Sequence, residues 1–469
     1  MQDVHDEALR PPEHAPPFRD DEGNVSRPFV EAVAAALAAA DADRVRALME
    51  DLHAADAADL LQALEPEERP RLIELLGPDF DFAVLTEVDD AVRDEILEEL
   101  ETRTVVEGVR ELESDDAVYI LENLDEADKA EILRQLPALE RVALQRSLDY
   151  PEDSAGRRMQ TEFIAVPPFW TVGQTIDYMR ETEDLPETFY EIFVVDPAYH
   201  LIGTVPLDKL LRSKRPVTIG DIMREDPDVV RATQDQEDVA RLFQRYNLVS
   251  AAVVDEAGRL VGAIMVDDIV DVIQEEADED LKALGGVKAE EALSDDVFAI
   301  VRSRFPWLFV NMINALIAAT VIRQFEASLE QMVALAILMP IVASMGGNAG
   351  TQTMTVSVRA LAMRELGRAN ALRVIRREVM VGMLNGLAFA LILGVIAGTW
   401  FRLADLGFVI GLAMLTVLSI AAFGGILIPL TLSRLGFDPA VSAGPFVTTT
   451  TDILGFFCFL GIATLWFRL

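Results

Sequence analysis

Between residues 44 and 148 the chain repeats a pattern of two adjacent apolar residues with a third three positions on, and the period is twelve residues. It runs through Leu48, Met49 and Leu52; Leu60, Leu61 and Leu64; Leu72, Ile73 and Leu76; Val84, Leu85 and Val88; and Ile96, Leu97 and Leu100. It continues through Val109 and Leu112; Ile120, Leu121 and Leu124; Ile132, Leu133 and Leu136; and Leu144 and Leu148. An i, i+1, i+4 spacing draws one apolar stripe on a helix. Twelve residues hold two helical turns and a short connection, so each helix can bury its stripe only by stacking on its neighbours. The pattern therefore predicts a short-helix superhelical domain over 29–150, with acidic residues such as Glu65, Glu67, Glu68, Asp115 and Asp116 at or near the turns.

From about residue 154 the pattern changes to short strands alternating with helices, and two halves match. Phe189 to Asp196 and Leu201 to Val205, followed by a helix from Leu207, correspond to Ala251 to Asp255 and Leu260 to Met265, followed by a helix from Asp267. This gives two α+β modules, 151–217 and 218–270. The second runs into an acidic amphipathic helix within 271–296, charged mainly on faces opposite Ile269, Val272 and Ile273. Five apolar stretches follow in 297–469, at 305–322, 332–358, 379–401, 406–432 and 439–467, each long enough to cross a bilayer. Residues 1–28 are polar and Pro-rich, with no apolar segment of a cleaved signal; they are expected to be disordered.

Charge divides the chain at the same place. Residues 297–469 hold seven acidic side chains and twelve arginines without a lysine, whereas 1–296 hold 72 acidic and 28 basic ones. A surface this acidic excludes a nucleic-acid partner and suits cations. The connection 359–378 carries Arg359, Arg364, Arg368, Arg373, Arg376 and Arg377, which marks the cytoplasmic side and places the N-terminus inside and the C-terminus outside a cell membrane. The single cysteine, Cys458, precludes an internal disulfide. His5, His14, His53 and His200 are scattered, and no nucleophile and base pair is visible, so an enzyme is not expected.

Polar residues inside the apolar stretches carry the candidate chemistry. Asp452 sits near the middle of the fifth, where an ionised Asp costs at least about 2.5–3.5 kcal/mol on insertion scales and normally faces a bundle interior or an aqueous path. The second contains Gly346, Gly347, Asn348, Gly350 and Gln352, which suit a close-packed helix lining a polar path. Asn311 and Asn314 in the first are three apart and share a face.

These residues also carry family resemblances. The strand, turn, Gly-containing strand and helix of 151–270 resemble a tandem CBS pair, usually a ligand sensor. The segment Gly346-Gly347-Asn348-Ala349-Gly350-Thr351-Gln352, and the segment from Asp438-Pro439-Ala440 through Gly444-Pro445 to Thr448-Thr449-Thr450-Thr451-Asp452, resemble the two membrane signatures of the MgtE-type magnesium channels, and the order of domains matches from about residue 30. The resemblance implies a homodimer in the lipid bilayer, with a pore between subunits lined by the second and fifth spans. Asp452 would be the selectivity site for hydrated Mg2+, with Ala440, Gly444, Pro445, Thr448 and Thr449 on its helix and Gly346, Gly347 and Asn348 on the other. It further implies feedback closure by internal Mg2+ bound among Asp115, Glu237, Asp268, Asp271, Glu279 and Asp280.

The chain departs from the family at several places. Where nucleotide-binding CBS modules hold a ribose, it has Pro206 and Lys209 in one module and Met265 and Asp268 in the other, leaving ATP as an open ligand. Tyr246-Asn247 stands where the family has Tyr-Asp, and Tyr119 stands at an acidic place. The competing readings are an ion-coupled secondary transporter of Mg2+, Co2+ or Mn2+ with a CBS sensor, and a receptor that senses without transporting.

Overall fold

The computed structural model describes residues 16–468 except 183–184, 187, 289–290, 292–296 and 368. The chain forms two bodies, Met1–Ile273 and Gln274–Leu469.

In the first body nine short helices follow one another: α1 (Arg27–Ala38), α2 (Ala42–Met49), α3 (Ala54–Ala63), α4 (Arg69–Leu76), α5 (Asp90–Glu99), α6 (Thr102–Val109), α7 (Ser114–Glu122), α8 (Glu126–Gln135) and α9 (Ala138–Leu148). The twelve-residue stripe is their core: Leu60, Leu61, Leu72, Ile73, Leu85, Ile96, Ile120 and Leu121 are fully buried in one cluster. One unit departs from the α-helix expected there, because Phe82–Thr86 is a 3₁₀ turn that still buries Val84 and Leu85. Residues 16–26, expected to belong to a disordered tail, instead fold back on the domain. Phe18 packs edge-on against Phe29 at 5.2 Å, and Arg19 pairs with Asp59 at 2.6 Å. Residues 27–28 of that expected tail begin α1, and 1–15 lie outside the described residues.

The two α+β modules are built alike. The first joins β1 (Ala165–Val166), α10 (Val172–Glu181), β2 (Glu191–Val195), β3 (Leu201–Pro206) and α11 (Leu207–Arg212). The second joins α12 (Ile219–Ile222), β4 (Val229–Arg231), α13 (Gln236–Tyr246), β5 (Ser250–Val254), β6 (Leu260–Met265) and the start of α14 (Val266–Leu284). Each sheet pairs its first strand parallel and its last antiparallel to the middle one, with Phe193 opposite Thr204 and Ala252 opposite Ala263. Phe193, Val195, Ala252, Leu260, Ala263 and Met265 fuse the two sheets into one core. The Asp235 carboxylate caps α13 by accepting the Glu237 and Asp238 N–H groups. Asn247 ends it in a left-handed conformation (φ 53°) that Asn tolerates better than most residues.

The second body contains α15 (Val297–Arg323), α16 (Glu326–Gln331), α17 (Val333–Ala362), α18 (Ala371–Trp400), α19 (Ala404–Arg434) and α20 (Pro439–Phe467). All of these but the short α16 are long and apolar enough to span a membrane, and each matches the stretch expected from the sequence, with Met332 and Phe401 falling one residue outside α17 and α18. The most buried is α19, which packs against α17, α18 and α20. Asp438 accepts the Ala440 N–H and, with Pro439 in the first turn, starts α20.

Candidate functional site

The polar residues of α17 fall on two faces. Glycines make one of them. A methyl group added to Gly350 would lie 3.0 Å from both Thr451 Cγ2 and Val447 Cγ1 of α20, and one added to Gly346 would lie 2.8 Å from Val417 of α19. From the other side, a methyl on Gly425 of α19 would reach the Gly350 carbonyl at 2.6 Å. These glycines let three helices approach closely. The second face carries Ser344, Asn348, Thr351, Gln352 and Thr355, all exposed at i, i+4, i+7, i+8 and i+11, with open space beside Gly347.

On α20, Thr448 is exposed, Thr449 and Asp452 are partly exposed, and Thr451 is buried against α17. Thr449 and Thr451 donate their hydroxyls to the Pro445 and Thr448 carbonyls, so neither neutralises Asp452. Among the described residues no hydrogen bond or ion pair reaches the Asp452 carboxylate, although it lies 13 residues into a 29-residue span, about 20 Å from its start. Asn314 of α15 donates to the Pro445 carbonyl at 3.5 Å, while Pro445, Ala440 and Gly346 are themselves buried and Gly444 is partly buried. The end of α14 packs here: Ala283 is buried among Met354, Val358, Ala440, Ala443 and Val447. That places the connecting helix at the Arg359 end of α17.

A second site lies within the first body. Asp115 and Asp116 open α7, and Asp267, Asp268 and Asp271 line the first turns of α14. Burial and then the neighbouring charges of Asp268, Asp116 and Glu113 hold the Asp115 carboxyl well above its usual range. Burial, Asp267 and Asp116 push Asp268 up to about 8, and burial with Glu113 and Glu87 pushes Asp116 up to about 6. Asp271 is raised by burial, Glu87 and Asp267. Carboxylates that raise one another in this way gain from a bound cation, and hard oxygen donors suit Mg2+. Among the described residues no three acidic or histidine side chains already form a metal cage. Mg2+ that keeps much of its water shell and meets one or two carboxylates fits such an arrangement.

The other expected ligands lie on other segments. Glu237 pairs with Arg241 in the first turns of α13, and Glu279 and Asp280 lie on the later half of α14, in the second body. Tyr119, one turn beyond Asp115, stands between two arginines. The Arg93 guanidinium lies 4.5 Å and that of Arg158 5.5 Å from its ring centre, and its hydroxyl donates to Asp90 at 3.3 Å. Arg93 is fully buried, which no apolar pattern could signal. Pro206 ends β3 without a hydroxyl, and Met265 and Asp268 meet through a Met265 N–H to carboxylate hydrogen bond of 3.4 Å.

Comparisons with known proteins agree with this layout. The family model for MgtE, described as a divalent cation transporter, matches residues 339–462; that for the MgtE intracellular N domain matches 52–153; and that for the CBS domain matches 219–275. The chain is 35% identical over 69% of its length to a magnesium transporter MgtE of Enterococcus faecalis, covering 72% of that protein. It is 35% identical over 67% of its length to one of Thermus thermophilus, covering 70%. The solved cytosolic domain of an Mg2+ channel MgtE in complex with ATP is 30% identical and covers 52% of this chain and 99% of its own, with a TM-score of 0.48.

Proposed function

Because this chain belongs to the MgtE family of divalent-cation transporters, a family of membrane proteins and not of enzymes, we propose that it is a magnesium channel closed by internal Mg2+. The observation that carries this reading is the uncovered polar stripe of α17 beside the unpartnered Asp452 of α20. Facing lipid, such groups are costly. Covered by the same face of a second copy, they line an aqueous path.

In this reading two copies bring two Asp452 carboxylates to one passage, with Thr448, Thr449, Asn348 and backbone carbonyls around them. Mg2+ sheds water reluctantly, so a passage that meets the hydrated ion with carboxylate and neutral oxygens avoids the dehydration cost. Gly347 leaves the passage width, whereas buried Gly346, Ala440 and Pro445 position the helices around it. The N-terminus lies in the cytoplasm, supported by the packing of α14 at the Arg359 end of α17.

Closure follows from like-charge repulsion. With Mg2+ among Asp115, Asp116, Asp267, Asp268 and Asp271, the acidic faces of α7 and α14 stay together. Without it they repel and free α14, whose far end packs against α17 and α20 through Ala283. Glu237, Glu279 and Asp280 are further candidate ligands.

The test is Mg2+ flux into proteoliposomes without a proton or sodium gradient, comparing the parent with Asp452→Ala. Passive flux that the substitution abolishes is the expected result. Flux that requires a second gradient would establish a coupled transporter, and unchanged flux in Asp452→Ala would remove that carboxylate from the pathway.

A further inference from the structure

The cationic end of α18 is arranged differently from a set of charges that only orients the chain. Arg373, Arg376 and Arg377 stand at i, i+3 and i+4 in its first two turns, and all are exposed. The same face continues through Met380, Leu384, Leu387, Leu391 and Val395, all exposed, and exposed Trp400 ends the helix. The opposite face, with Ala371, Glu378, Gly382, Gly386 and Ala397, is buried. The three arginines therefore lie on the face that lipid tails cover. From Arg376 to Trp400 the helix rises about 36 Å, a little more than a hydrocarbon core of about 30 Å, so the guanidinium groups sit at phosphate depth when Trp400 sits at the opposite interface.

Their charge is largely unbalanced within the protein. Among the described residues Arg373 and Arg376 have no hydrogen-bond or carboxylate partner, and Arg377 Nε is 3.4 Å from Glu378, which is buried. Three cations at a helix N-terminus also oppose the helix dipole, and α18 has neither an acidic residue in its first turn nor a side-chain cap. A phosphate at this place satisfies the guanidinium groups and offsets their repulsion with the helix dipole. We propose that Arg373, Arg376 and Arg377 form a binding site for an anionic phospholipid, with the lipid phosphate on the arginines and its tails along Met380, Leu384 and Leu387. Charge bias alone is met by arginines anywhere in the connection; it does not require three on the lipid-facing stripe.

The experiment is native mass spectrometry of the full chain in mild detergent, titrated with phosphatidylglycerol or with phosphatidylcholine of the same acyl chains. Retention of phosphatidylglycerol over phosphatidylcholine is expected, at about fivefold per arginine as an upper bound. The triple variant R373Q/R376Q/R377Q should lose this preference, and R373K/R376K/R377K should keep most of it. If the glutamine variant does not elute from size exclusion as the parent does, R376Q alone, expected to weaken retention up to fivefold, replaces it. Equal retention of the two lipids by the parent, or an unchanged preference in the glutamine variants, overturns the proposal. Displacement of the lipid by millimolar inorganic phosphate overturns it too, by showing that a soluble anion is the ligand.

Discussion

Replacing Gly425 by alanine places a methyl group where α17 already stands. Its carbon would lie 2.6 Å from the Gly350 carbonyl, 2.9 Å from Thr353 Cβ and 3.1 Å from Met354 N, two of them backbone atoms that no rotamer change can move. Restoring ordinary contact at about 3.5 Å requires α17 and α19 to part by roughly 0.5–1 Å. Overpacking of this kind costs about 1–3 kcal/mol, against which alanine regains up to about 1 kcal/mol of helix propensity. Gly425→Ala should therefore be net destabilised by about 1–2 kcal/mol, read as a lower midpoint in reversible unfolding in mixed micelles. Mg2+ flux should fall as well, because the shift displaces Asn348. Gly347→Ala is the internal comparison, since its methyl meets nothing within 4 Å. It should leave stability unchanged or slightly raised while narrowing the proposed passage and lowering flux. A Gly425→Ala protein as stable as the parent, or a Gly347→Ala protein that is the weaker of the two, would refute the division of α17 into a packed and an open face.

Tyr119→Leu removes the ring that covers Arg93 and Arg158, and should lower the thermal stability of the full chain by about 1–2 kcal/mol. Tyr119→Phe keeps the ring and should cost less, so equal losses would show that the cation–π contacts contribute nothing. Asp268 at about 8 and Asp116 at about 6 are both raised above their unfolded value of 3.8, so the folded arrangement binds more protons than the unfolded chain. Without divalent ions, hydrogen-exchange protection of α7 and the start of α14 should fall as pH rises from about 4 to 8 and level off above that. Millimolar Mg2+ should flatten the decline, and a rise in protection over this window would contradict the assignment. Ala283→Leu overfills the pocket formed by Met354, Val358, Ala440, Ala443 and Val447. It should leave flux less inhibited by internal Mg2+ than in the parent, and unaltered inhibition would show that the end of α14 does not restrain the span helices.

Much of this architecture follows from local pattern. The twelve-residue repeat specifies which residues of α2–α9 turn inward, because each helix has one apolar stripe and can bury it only on its neighbours. The five spans, the matched modules and the position of Asp452 at membrane depth are legible for the same reason: length, period and polarity are properties of a segment alone. Tertiary structure decided what lies opposite each face. The motif around Gly346–Gln352 does not say that Gly346 and Gly350 are packing surfaces while Asn348 and Gln352 face outward, since that depends on where Val417, Gly425, Val447 and Thr451 arrive from other helices. Glu237 was as eligible a ligand as Asp268 by composition, yet one meets Arg241 and the other meets Asp116 and Asp267. Arg93, a cation in a sequence of surface charges, is buried in contact with the ring of Tyr119 from another helix. Hydrophobic periodicity fixes the inward direction of a helix, whereas the partner it finds there is set by contacts between residues far apart in the chain.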